Sequence, residues 1–439
     1  MITNEPEKPH DGSGKSQAVG SSYKWNVVGM LWCISFFNYA DRQAIFSVFP
    51  LLATEMMLTK EAQGWLGSSF AWVYGFSAPF AGILVDRVRR RSAILGGLHV
   101  WSLICMATAL ARSFPQLIFF RAAEGLGETC YYPASVSLLS DYHGKRTRSR
   151  ALGLHQTSVY IGTIGGGAFA GLIGDHFGWR ASFIVFGALG ILLGLVLNRF
   201  LFEPRRGDAD LANALAIKPV WTSQRLPIKE VLKLIGKTPT VLVLMLAFMC
   251  ANFEAMILLT WMPTHLYEKF HYSLFTAGLA ATVYVQLASM LGAVLGGWLA
   301  DVLRQRLASG RILVQALGVF AAAPCVLLCG NLHSEQWLML TLAVWGLFKG
   351  LYDANIFASA FDVIRPEARG TTAGFLNMFG WLGGGSASVI IGYIADRRGL
   401  GAAISSAAIV YVIAGVLLSL AALVFLKRDV AHMNGKPIS

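Results

Sequence analysis

Long apolar blocks separated by short polar ones run through this chain, and the block length sets the first expectation. Crossing ~30 Å of hydrocarbon as a helix takes about 20 predominantly apolar residues. Segments of that length can be drawn twelve times, at 25 to 50, 63 to 85, 92 to 112, 115 to 140, 149 to 174, 180 to 202, 239 to 263, 274 to 300, 311 to 330, 335 to 362, 368 to 394 and 400 to 426. An all-α membrane protein of twelve transmembrane helices is predicted. The first 24 residues are polar and lack the basic start, short apolar run and small-residue cleavage site of a signal peptide. An even number of crossings then puts both termini on the same side.

Composition agrees with the pattern: of 439 residues, 55% are hydrophobic and 14% charged, too little polar surface for a soluble globule. Lys and Arg decide the orientation. The tails and even-numbered connections carry 27 of them, the opposite connections 6 (Lys60, Arg112, Arg180, Lys269, Arg397 and Arg398). Basic residues stay cytoplasmic, so both termini are predicted inside. The net charge of +12 is explained by this topology, and anionic lipid headgroups are its expected partner. No separate basic domain points to nucleic acid. Cys33, Cys105, Cys130, Cys250, Cys325 and Cys329 all fall in apolar blocks without a metal-ligand constellation, so neither a disulfide framework nor a metal site is expected.

The chain repeats itself. "RSRALGLHQTSVYIGTIGGGAFAGLIGDHFG" and "RGTTAGFLNMFGWLGGGSASVIIGYIADRRG" align without gaps at an offset of 221, pairing Gly153, Gly162, Gly171, Asp175 and Gly178 with Gly374, Gly383, Gly392, Asp396 and Gly399. "GILVDRVRRR" meets "GWLADVLRQR", superposing Asp86 on Asp301, and Asp41 with Pro50 has the same nine-residue spacing as Glu254 with Pro263. Two halves related by duplication follow. The expected organisation is a tail at 1–24, a six-helix bundle at 25–202, a polar cytoplasmic linker at 203–238, a second bundle at 239–426 and a tail at 427–439. Within the linker, "PIKEVLKLIGK" has the pattern of a short amphipathic helix for the headgroups, although a simple tether fits equally.

Two six-span halves and the "GILVDRVRRR" loop resemble the major facilitator superfamily, whose substrate site lies near mid-membrane between the halves. The resemblance implies a structural, gating role for Asp86, Arg87 and Arg90, and for Asp301 and Arg304 in the second half, latching helix ends on the cytoplasmic side.

An ionisable side chain inside a span costs about 2.5–3.5 kcal/mol on insertion scales, so it faces protein or water and has a task. Asp41, Arg42, Arg121, Glu124, Glu128, Glu254, Lys349 and Asp353 qualify; His99, His155 and Asp362 lie nearer the span ends. In "FFRAAEGLGETCYYPASVSLL" the spacing of three and four puts Arg121, Glu124 and Glu128 on one helical stripe. Low dielectric disfavours an ionised carboxylate and a nearby Arg favours it, so a moving Arg can switch proton affinity. An ion pair that only stabilises packing is the alternative. Adjacent residues point about 100° apart on a helix. That places Asp41 toward the span-four carboxylates and Arg42, whose fork suits a carboxylate or phosphate, toward the central cavity.

"NYADR" in span one, "WVYG" in span two, the Arg, Glu and "YPA" of span four, "LTWMPTHL" in span seven and "GFLNMFGWLGG" in span eleven together resemble the anion:cation symporter family, which includes bacterial hexuronate and galactonate carriers and vesicular glutamate and sialic-acid carriers. That resemblance implies Asp41 and Glu128 as proton-coupling groups with Arg121 as their switching partner. It implies Tyr39, Arg42 and Tyr74 as site lining, Asn377 as a substrate hydrogen-bonding group and Trp261 as a cavity wall. The sequence departs from the pattern in several places. Val159 stands where galactonate carriers have a polar residue, with His155 and Gln156 beside it, and Gln156 joins the expected substrate contacts. Glu124 adds a carboxylate to the proton-coupling set. Lys349 and Asp353, four apart, either neutralise each other or bring Asp353 to the substrate, and Glu254 is a further carboxylate with either a substrate role or a structural hydrogen bond. The glycine-rich runs lack the Lys and Ser or Thr of phosphate loops and lie within spans, where close helix approach accounts for them. The Gly-Pro pair of the antiporter signature is absent from span five.

The expectation is a carrier of a small organic anion, a sugar acid or other carboxylate, that symports protons and works as a monomer in a bacterial inner membrane, with no enzyme activity and no cofactor. A spinster-like lysolipid carrier and a transport-silent nutrient sensor are the alternatives.

Overall fold

The computed structural model describes residues 22–144, 146–204 and 227–433. Among them every regular element is helical, as backbone polar groups demand where lipid offers no hydrogen bonds. The first half contains α1 (Tyr23–Ser47) continued by α2 (Phe49–Met56), α3 (Lys60–Arg87), α4 (Arg90–Thr108), α5 (Phe114–Glu128) continued by α6 (Tyr131–Tyr142), α7 (Arg148–Phe177) and α8 (Trp179–Phe200). After α9 (Ile228–Gly236) the second half contains α10 (Pro239–Phe270), α11 (Leu274–Arg304), α12 (Gly310–Asn331), α13 (Glu335–Asp353) continued by α14 (Ile356–Phe361), and α15 (Arg369–Arg398). Its last crossing joins α16 (Leu400–Ser406), α17 (Ala408–Leu420) and α18 (Leu426–Met433) through a π turn at Ala421–Phe425. The protein is thus an integral, multi-pass membrane protein of twelve crossings in two six-helix halves. The predicted tails at residues 1–21 and 434–439 and the linker stretch 205–226 lie outside the described residues.

Eight helical stretches are long and apolar enough to cross a bilayer unaided. The first, third, fourth and tenth crossings are not among them, and the first, fourth and tenth hold Asp41 and Arg42, Arg121, Glu124 and Glu128, and Lys349 and Asp353. Such segments depend on neighbouring helices to shield their charge. The fourth and tenth crossings are also broken, where single helices were expected, after Glu128 and after Asp353. Polar side chains take up carbonyls near each break: Thr129 Oγ1 donates to the Gly125 carbonyl at 2.7 Å, and Asn355 Nδ2 to those of Gly296 and Leu351 at 3.0 and 3.1 Å. The linker's amphipathic segment does form α9. Its Val231 and Ile235 are buried against the second half, while Ile228 and Leu232 remain exposed.

Gly178 and Gly399, paired by the repeat, join α7 to α8 and α15 to α16 at φ of +79° and +81°, a region a Cβ disfavours. The halves meet along two related seams, α3 against α15 and α7 against α11. Glycine brings the backbones together there: a Cβ at Gly278 would lie 2.1 Å from the Gly167 carbonyl oxygen, and one at Gly64 2.3 Å from that of Ser388.

One end of each seam is fastened by a carboxylate reaching across the halves. Asp396 accepts the backbone N–H groups of Lys60 and Glu61, both at 2.9 Å, at the start of α3. Asp175, its repeat partner, accepts those of Leu274 and Phe275 at 3.1 and 3.0 Å at the start of α11. The next N–H in each helix goes to the hydroxyl of Thr59 or Ser273, both at 3.1 Å, and the fourth to the carbonyl of that same residue. Three of the four donors that a helix start leaves unpaired are therefore satisfied, two of them by the opposite half. Lys60 adds an ion pair to Glu268.

At the other end the halves separate. A Cβ at Gly75 would still meet Trp381 at 2.8 Å, but at Gly82, Gly153, Gly297, Gly370 and Gly374 it would meet nothing within 4 Å. The structure is closed at the Asp175/Asp396 end and open at the end bearing Arg90 and Arg304.

A helix cap is worth about 1 kcal/mol, so Asp175→Ala with Asp396→Ala shifts the equilibrium by about 2 kcal/mol, roughly 30-fold, away from the closed end. Spin labels at exposed Met57 and Arg398 report this as loss of the short-distance population, while the two Asn variants, which still accept, retain most of it.

Candidate functional site

The site lies just beyond the last contact of the α3/α15 seam. Arg42, on α1, donates from Nε to Glu128 at the end of α5. Its guanidinium sits in a collar of rings, 4.5 Å from Tyr74, 4.7 Å from Tyr39, 5.2 Å from Phe70 and 5.4 Å from Trp381. Such rings stabilise a cation by about 0.5–2 kcal/mol each when desolvated. Trp381 comes from α15, so the collar is complete only while the halves are together at this level. Arg42 keeps 7% exposure while Asp41, Arg121, Glu124 and Glu128 have 0%, so Arg42 is the one member of the cluster with exposed surface. Its Nη1 has no hydrogen-bond partner among the described residues.

One turn deeper, Arg121 Nη1 donates to Glu124 at 2.5 Å and the guanidinium lies 4.8 Å from the Phe70 ring. Phe70 thus separates two cations, each holding its own carboxylate. Asp41 has no partner for either oxygen among the described residues, although its carboxylate lies within 4.8 Å of the Glu124 carboxylate and the Cys105 thiol. The five groups are three acids against two bases.

The expected partnership is rearranged here. Arg121 holds Glu124 rather than Asp41 or Glu128, and Arg42, expected to look freely into the cavity, is engaged by Glu128. Glu124, three residues on, is one helical turn from Arg121, whereas Glu128, seven on, is two turns away; Glu128 pairs instead with Arg42 inside the collar of rings. Trp261, expected as a cavity wall, is fully buried at the closed side, with its indole N–H on the Ser388 carbonyl at 3.2 Å and its ring against Phe49. It packs α10 to α15 and α2.

Asn377 and Gln156 are partly exposed, and neither forms a side-chain hydrogen bond to a described residue. Asn377 lies four residues before Trp381, hence on the same face of α15. Asp353 is held by Lys349 across one turn of α13, with Tyr160 of α7 within electrostatic reach. His155 is buried, its Nε2 3.1 Å from the Tyr131 hydroxyl, which donates to the Leu31 carbonyl at 2.6 Å.

At the open end Arg90 is buried, ion-paired with Asp141 and, at 3.2 Å, with Glu203, tying α4 to α6 and to the segment after α8. Arg304 pairs with Asp362 at 2.8 Å, and Arg311 bridges Asp362 at 2.9 Å and Asp301 at 3.3 Å. Both clusters fasten helices within one half. Arg87 is exposed, and the side chain of Asp86 lies outside the described residues. Phe70, Trp381, Cys105, Tyr160, Arg311 and Asp141 are the residues sequence reasoning missed. Trp381 had a signal, standing inside "GFLNMFGWLGG" in register with Asn377.

Fold and site together define a carrier: two halves, closed at one end, around a buried charge cluster. The description of the Major Facilitator Superfamily matches residues 31–385 and 265–438, and the chain belongs to that family; it is a membrane transporter and not an enzyme. It is 27% identical over 434 residues to the probable anion transporter 4, chloroplastic, of Oryza sativa subsp. japonica, covering 95% of this chain and 73% of that protein. It is 25% identical over 423 residues to the hexuronate transporter of Bacillus subtilis (strain 168), covering 95% and 97%. Among solved structures, the bacterial homolog of the human lysosomal transporter Spinster, inward-facing and unoccupied, superposes with a TM-score of 0.82 at 22% identity over 93% of this chain and 98% of that one, a likeness of fold.

Removing one partner of a buried ion pair strands the other's charge, at about 3–5 kcal/mol. Arg121→Met therefore lowers the thermal unfolding midpoint strongly, and adding Glu124→Gln restores most of the loss. Equal midpoints for the single and double variants would show that the pair does not act as a unit.

Proposed function

We propose that the protein is a proton-coupled symporter of a small organic anion, a sugar acid such as a hexuronate or galactonate or another carboxylate. The observation that carries this reading is the Arg42–Glu128 pair within a cluster of three acids and two bases. Glu128 occupies the place on Arg42 that a substrate carboxylate would take. Arg42 cannot serve both while Glu128 is charged, so a proton on Glu128 frees the guanidinium for the anion, and bidentate binding uses its unpaired Nη1. The charge count agrees. With Glu128 on Arg42 and Glu124 on Arg121, one proton on Asp41 makes the buried cluster neutral, and it stays neutral when one anion enters with one proton for Glu128. Neutrality is what low dielectric demands of a cluster that must move between two openings.

Tyr39 and Tyr74 line the position beside Arg42, and Asn377, Gln156 and Asp353 supply hydrogen bonds for hydroxyl groups. Relatives named as a hexuronate transporter and a D-galactonate transporter support this substrate class. Rocking about the glycine seams exchanges the closed and open ends; release of the Asp175 and Asp396 caps opens the first, and the Arg90 and Arg304 clusters with Asp86, Arg87 and Asp301 hold helix ends while the other gates. The 27-to-6 bias of basic residues supports a cytoplasmic location for the open end and both termini; the proposed setting is a bacterial inner membrane, with the protein acting as a monomer among anionic lipids.

Uptake of labelled D-glucuronate, D-galactonate and D-glucarate into proteoliposomes under an imposed pH gradient tests the reading. Glu128→Gln and Asp41→Asn each lose gradient-driven accumulation by tenfold or more. Wild-type coupling in both variants, or dependence on sodium in place of protons, would sink the assignment.

A further inference from the structure

Glu254 has no part in the cluster around Arg42, yet it holds the same place in the second half. It precedes Pro263 on α10 by the nine residues that separate Asp41 from Pro50. The correspondence extends to the broken crossings, since α5 ends at Glu128 and α13 ends at Asp353. Within each half the acid at the break has a cation, Arg42 for Glu128 and Lys349 for Asp353. The acid on the first crossing of each half, Asp41 or Glu254, has none.

Glu254 is fully buried, and neither carboxylate oxygen has a hydrogen-bond partner among the described residues. The titratable groups that face it are Cys250 on its own helix, Cys329 on α12 and Tyr411 on α17. Tyr352 and Asp353 of α13 and Cys325 of α12 lie behind Tyr411. From α15 nothing titratable is offered between Arg369 and Tyr393, and from α11 Tyr284 alone precedes Asp301. No cation belongs to this set. A carboxylate stripped of water, donors and counter-charge is not held as an anion, so Glu254 holds a proton. An acid kept only for packing spends that proton on a fixed acceptor; Glu254 has no such bond.

The helix that carries it is also one that senses the other half. Five residues on, the Leu259 carbonyl accepts the Gln43 side chain at 2.9 Å, and the Trp261 ring lies against Phe49 of α2. Rocking of the halves therefore changes the packing of α10 within two turns of Glu254. We propose that Glu254, at the C-terminal position equivalent to Asp41, is a second proton-carrying site beside Glu128, loaded in this conformation and discharged in the other. Each transport cycle then moves one proton more than the Arg42–Glu128 exchange requires. The inference rests on the proton-coupled reading above.

Two readouts on wild-type, Glu254→Gln and Glu254→Asp protein in lipid separate its failure from the failure of that reading. Infrared spectra at neutral pH are expected to show a protonated-carboxyl C=O band that disappears in Glu254→Gln and shifts in Glu254→Asp; unchanged bands would overturn the proposal. The ratio of protons to anion, from the membrane potential at zero net flux with D-glucuronate, D-galactonate or D-glucarate as probe, is expected to fall by one in Glu254→Gln. A lost band with an unchanged ratio makes the proton a permanent resident and overturns the carrier role alone. A wild-type protein that moves none of the three anions with protons overturns the symport reading and this inference together.

Discussion

Burial of charge without water governs this molecule. Two guanidiniums and three carboxylates share a few turns of α1 and α5, four of the five with no exposed surface at all. Each would be prohibitive alone, and each is tolerated because a neighbour offsets it. The requirement for neutrality shapes the rest: which acid sits on which base and, in the symport we propose, why Asp41 keeps a proton and why an incoming anion displaces Glu128 only when a proton takes its place. The first and fourth crossings, which carry this chemistry, are not among the eight stretches apolar enough to span on their own, and they depend on neighbouring helices.

Motion is built from the opposite kind of contact. Where the charge cluster is tightly paired, the seams between the halves are nearly featureless, backbone against backbone at Gly167, Gly278 and Gly64. Small residues allow close approach without interlocking side chains, so a seam can open without dragging a side chain out of a pocket. The discrete fastening is at its end, where Asp175 and Asp396 each complete a helix start in the other half. Trp381 links the two systems, since it closes the collar on Arg42 and stands at the last contact of the α3/α15 seam.

Much of this was legible in the sequence. Crossing number, duplication and the short set of intramembrane charges follow from hydropathy and spacing, because membrane length and the price of a buried charge are strong constraints. The breaks after Glu128 and Asp353 were not legible, since hydropathy is blind to which carbonyl Thr129 or Asn355 will satisfy. Nor was the partner of Glu128: a spacing of three favours Arg121 with Glu124, while Arg42 arrives from another helix, with Phe70 and Trp381 closing around it. The role assigned to Trp261 failed for a related reason, as an aromatic beside a proline has the same pattern in a seal as in a cavity wall. Asp175 and Asp396 were visible as repeat partners, but only the fold brings each to the helix start it caps.

The central claim is that anion binding at Arg42 is linked to proton uptake at Glu128. Isothermal titration calorimetry of the purified protein with D-glucuronate, D-galactonate and D-glucarate, repeated at one pH in buffers of different ionisation enthalpy, counts the protons taken up. One proton bound per anion is the predicted result; anion binding whose heat is independent of the buffer would contradict it.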